Sequence, residues 1–66
     1  MTSKQLIEII RDTIGDMEKA EDERTHRFIE LNPTHKYTRY IEHNAYMDAL
    51  LTLRYKLHDI RESLEE

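Results

Sequence analysis

The residues best suited to chemistry crowd into one stretch of this 66-residue chain. Between positions 24 and 46 lie Arg24, His26, Arg27, His35, Lys36, Tyr37, Arg39, Tyr40, His43 and Tyr46, with Glu30 and Glu42 as the acids. Three of the four histidines and three of the four tyrosines are here. Cations interleaved with aromatics suit two tasks. They can hold phosphates while bases stack, as in single-stranded RNA recognition. They also suit a protein hot spot, where Tyr and Arg are enriched. Tyrosine at a helix seam can equally be packing.

Other pairs have the spacing of metal sites without the full ligand set. Glu23 and His26 form an E-x-x-H pair, the helix motif of dinuclear-metal bundles, which also need inward-facing Glu residues on the remaining helices. Both side chains point away from the apolar stripe. His58 and Glu62 stand four residues apart, and Glu18 and Glu21 form an E-x-x-E pair with no matching E-x-x-D downstream. The expectation is no metal and no cofactor. Cysteine is absent, which removes thiolate nucleophiles and disulfides and fits a reducing compartment. No glycine-rich phosphate loop occurs, and Ser3 and Ser63 sit near the termini, where a triad is hard to enclose. The chain is expected not to be an enzyme.

Composition sets the frame for these residues. One glycine and one proline in the chain leave nothing to make the frequent turns of a β protein, so the fold class is all-α. The net charge of −4 gives no strong basic field and no polybasic run for a membrane surface. No apolar stretch approaches the roughly 18 residues of a membrane span, and Met-Thr-Ser-Lys-Gln-Leu lacks the features of a signal peptide. A cytoplasmic protein with no membrane partner is expected. Residues 12–23 hold six acids and one lysine, the pattern of a solvated face or of a surface that imitates nucleic acid.

Thr2 with Gln5 has capping-box spacing, so a first helix is predicted over about residues 3–31. Leu6, Ile10, Ile14, Met17, Phe28 and Leu31 fall within an arc of roughly 100°, with Ile7 at its edge. Glu8, Asp12, Asp16, Lys19, Asp22, Glu23 and Glu30 take the opposite face. Gly15 falls inside this helix, where it is tolerated or kinks the helix, marks a tight helix crossing, or breaks it. Asn32-Pro33 is the one strong breaker, giving a turn at about 32–36 and a second helix over about 37–64. Residues 1–66 then form a single domain, an antiparallel two-helix hairpin.

Tyr46, Leu50, Leu53, Leu57, Ile60 and Leu64 follow the 4-3-4-3-4 spacing of a heptad seam. Tyr40, Met47 and Leu51 make a second stripe, rotated by roughly 120°, with Tyr37 and Tyr55 at its far edge. A turn near residues 33–34 sets Leu6 opposite Ile60 or Leu64, Ile10 opposite Leu57, Ile14 opposite Leu53, and Met17 opposite Leu50. These residues, with Phe28 and Tyr46, are the expected hairpin or dimer core. Glu21 and Arg24 interrupt the seam near His43, Asn44 and Tyr46, as a polar layer or a site.

The second stripe needs a cover that the first helix cannot supply. A homodimer forming a four-helix bundle is the expected assembly. The expected function is a small non-catalytic regulator or inhibitor that binds another protein. Its contact residues are Arg24, Arg27, Lys36, Tyr37, Arg39, Tyr40, His43, Met47 and Leu51. The alternative is an RNA- or DNA-binding hairpin dimer using the basic aromatic end.

Overall fold

The first helix begins where side chains can satisfy its unpaired amides. Thr2 is extended (φ −84°, ψ 163°), its hydroxyl accepts from the Gln5 amide at 3.2 Å, and the Gln5 side chain accepts from the Thr2 amide at 2.8 Å. This reciprocal capping box settles two of the donors that a helix start leaves orphaned. The computed structural model describes residues 1–65. Helix α1 spans Ser3–Leu31 and runs unbroken through Gly15, which has no positive φ.

Asn32 ends α1 from both its backbone and its side chain. Its amide donates to Phe28 O at 2.8 Å and its Nδ2 to the same oxygen at 3.2 Å. Pro33 cannot continue the hydrogen-bond ladder but suits the first turn of a new element. A 3₁₀ turn, Pro33–His35, follows, and helix α2 runs from Lys36 to Glu65. The described residues are all-α, two helices folded back as a hairpin of 51 × 18 × 9 Å. No helix among them is long and apolar enough to cross a membrane.

Among the described residues the buried apolar core is Ile7 and Ile14 from α1 and Leu50 and Leu57 from α2, with Tyr46 and Met47 packed at its edge. Each helix contributes two residues seven apart, a heptad seam. The next heptad position on α1 is Glu21, which is buried, as is Thr25. The matching position on α2 is His43, which is half-buried. The contact is therefore apolar toward the open end and polar toward the turn.

The rotational phase differs from the sequence expectation. Ile7, placed there at the edge of the stripe, is central in the structure. Leu50 is 3% exposed while Leu53 is 50% exposed, so the α2 stripe is split, one half against α1 and one half outside. Leu6, Ile10, Met17, Phe28, Ile60 and Leu64 are likewise left partly exposed.

Candidate interaction surface

Two faces of the hairpin flank the seam, and they differ in chemistry. On one side Ile10, Thr13, Ile14 and Met17 from α1 and Leu53, Lys56, Leu57 and Ile60 from α2 line a shallow groove of about 460 Å³. The groove arises because the apolar arc of each helix is wider than the strip its neighbour covers. In an antiparallel pair, positions displaced the same way from both seams fall on one face. That geometry gathers Ile10 and Met17 with Leu53 and Ile60. Apolar area of this kind costs about 25 cal/mol per Å² while it stays in water.

The other side is polar. Arg54 Nε donates to Glu18 at 2.7 Å across the helices, and His43 Nε2 lies 3.4 Å from Asp22. Tyr40 meets the His43 ring edge-on at 6.5 Å, and Lys36 stands 6.0 Å over the Tyr40 ring.

Between these faces, near the turn, Glu21 is the centre of a closed network. It is 4% exposed. Arg39 donates to it at 2.6 Å, Arg24 at 3.0 Å and the Thr25 hydroxyl at 3.2 Å. His43 Nδ1 lies 3.5 Å from Glu21 and 3.1 Å from the Thr25 hydroxyl. Burial pushes the Glu21 carboxyl up. The Arg24 hydrogen bond, the Arg39 charge and the Thr25 and His43 contacts more than offset this, holding it below the usual carboxylate range. Arg39 also reaches Glu42 at 3.4 Å and lies 5.9 Å over the Phe28 ring, while its Nε is buried without a hydrogen-bond partner. A smaller groove lined by Phe28, His35, Thr38, Arg39 and Glu42 lies alongside.

The expected contact residues therefore divide into groups. Arg24, Arg39 and His43 converge on Glu21. Lys36 and Tyr40 stack beside them. Tyr37 is almost fully exposed, Met47 packs on the core edge, and Leu51 is exposed on the helix well away from Leu53. The polar layer of Glu21 and Arg24 facing His43 is visible in the sequence, but two of its members, Thr25 and Arg39, are not. The one available signal is the seven-residue step from Ile7 through Ile14 to Glu21, which continues the seam into a carboxylate. Thr13 and Lys56, which line the groove, carry no sequence signal beyond their helical spacing.

Among the described residues no group of three or more His, Asp or Glu is placed to hold a metal ion. His58 and Glu62 pair at 3.5 Å on an exposed helix face. Comparison of the chain with protein-family models, with curated proteins and with solved structures finds no match.

Proposed function

We propose that this chain is a non-catalytic interaction module whose apolar face is covered by a second copy, giving a homodimeric four-helix bundle that acts by binding another protein. The observation that carries this reading is the groove running across both helices, lined by Ile10, Met17, Leu53 and Ile60. A helix pair with four buried apolar residues has little core of its own, and chains this small are commonly reinforced by association. The hairpin exposes 5439 Å². A compact monomer of 8.0 kDa exposes about 4,500 Å², and the excess is close to the roughly 800 Å² that each partner buries in a standard interface.

Size-exclusion chromatography with light scattering tests the reading. The native chain is expected at twice its 8.0 kDa mass. Leu53→Glu, which puts a charge into the groove, is expected at the single mass with its helix content partly kept. Leu51→Glu, outside the groove, is expected to stay dimeric. A monomeric native chain removes the proposal.

Nucleic-acid binding is the weaker reading. Arg24 and Arg39 are ion-paired with Glu21, and Arg39 also with Glu42, which lowers the positive charge available to phosphates. Nucleic acid that co-elutes with the protein and leaves at high salt would reverse this ranking.

A further inference from the structure

The apolar face continues past the groove toward the turn. Arg24 lies seven residues beyond Met17 on α1, and Ala49 and Glu42 lie seven and fourteen residues before Lys56 on α2. Near-integral helical turns keep each of these on the same side as the groove residue it follows. Arg24 pairs with Glu21 at 3.0 Å and Glu42 with Arg39 at 3.4 Å within the hairpin, yet both side chains remain more than half exposed and can take a second partner. The Thr25–His43 contact fixes the register and puts Arg24 and Glu42 within two residues of one level, about 3 Å of helix rise. The face thus carries Arg24 on α1 and Glu42 on α2 at nearly the same height, with Ala20 and Ala49 and then the groove below them, whose lining is apolar apart from Thr13 and Lys56.

We infer that the second copy lies on this face with its turn at the same end, related by a two-fold axis parallel to the hairpin. The inference rests on the dimer proposed above and names the pairing within it. In this arrangement α1 of each copy lies over α2 of the other. Arg24 of one copy then faces Glu42 of the other, and symmetry repeats the pair. Below it Ala20 meets Ala49, Met17 meets Leu53, and Ile10 meets Ile60. The face is complementary to itself at each of these levels. In the reversed arrangement, α1 lies over α1 and α2 over α2, so Arg24 of one copy does not face Glu42 of the other. Charge complementarity selects orientation more strongly than it adds affinity. The same-end pairing also sets the two turns side by side, so that Arg27, Lys36 and Tyr37 of both copies share one pole.

The chain has no cysteine, so Thr34→Cys in the exposed 3₁₀ turn provides a single attachment point for a nitroxide label. Pulsed electron–electron resonance on the labelled dimer then reads the turn-to-turn distance. Helix layers pack 8–10 Å apart, so same-end pairing predicts a distance of roughly 25 Å or less. The hairpin is 51 Å long, so reversed pairing predicts a distance of about that length or more, and this result would overturn the inference while leaving the dimer intact. A sample that is monomeric by light scattering and gives no intermolecular distance sinks the dimer itself. A second measurement bears on the charge pair. Glu42→Arg should raise the dimer dissociation constant about tenfold, and an unchanged constant counts against the Arg24–Glu42 contact.

Discussion

Glu21 occupies the position where the repeat of Ile7 and Ile14 calls for a third apolar residue. A buried carboxylate costs several kcal/mol unless its charge and lone pairs are met, and here two guanidinium groups and a hydroxyl meet them. Removing the acid leaves the half-buried Arg39 without its main counter-charge. Glu21→Ala is therefore expected to cost about 2–3 kcal/mol, read from the urea midpoint. The direction of the Glu21 shift also fixes a pH dependence. A carboxyl that titrates lower in the folded state binds fewer protons than in the unfolded state, so its contribution is present above the unfolded pKa and is lost as pH falls through the folded value. Helicity followed by circular dichroism should fall on acidification below the ordinary carboxylate range, and Glu21→Gln should flatten that dependence. Sequence alone exposes Glu21 and Arg24 as a break in the seam. It does not reveal Arg39 and Thr25, because one reaches the acid from the opposite helix and the other is a threonine like any other until its neighbour is known.

At the scale of the helices, the ends were legible and the rotation was not. Thr2, Gln5, Asn32 and Pro33 act locally, each through hydrogen bonds or dihedral limits within a few residues, so their effect can be read from the order of the chain. Thr2→Ala should cost about 1 kcal/mol, seen as a lower melting temperature. Rotation depends on the other helix. Leu6, Ile7, Ile9 and Ile10 place four large apolar groups in five positions, and several centres of the stripe fit them. Packing against Leu50 and Leu57 selects Ile7 and leaves Leu6, Ile9 and Ile10 partly exposed. The same choice splits the α2 stripe and leaves Leu53 and Ile60 outside. Gly15 proves to be neither a break nor a close approach of backbones. A Cβ added there meets only Arg54 Nη2, at an ordinary 3.6 Å, and that group is the end of a flexible side chain. Gly15→Ala should therefore raise stability by about 1 kcal/mol, measured by thermal melting.

The whole molecule is a thin object, 9 Å across its shortest dimension, which is close to one layer of helices. Periodicity places its apolar residues on helices, yet periodicity cannot say which of them are covered within the hairpin and which stay exposed. That division requires two helices in register, and it is what separates the groove from the seam. The thinness has a further result. If the proposed dimer forms, a layer that completes its core by meeting its own copy has a stability set by mass action, since assembly and folding are then one equilibrium. Dilution alone should unfold it. The melting temperature is expected to rise by roughly 5 °C for each tenfold increase in protein concentration, from the usual per-residue unfolding entropy applied to two chains. A melting temperature independent of concentration would mean that each hairpin stands alone. Under the dimer proposal, a concentration-linked fold would make abundance its own threshold in a cell: scarce chains would stay open to proteolysis, and accumulated chains would protect one another.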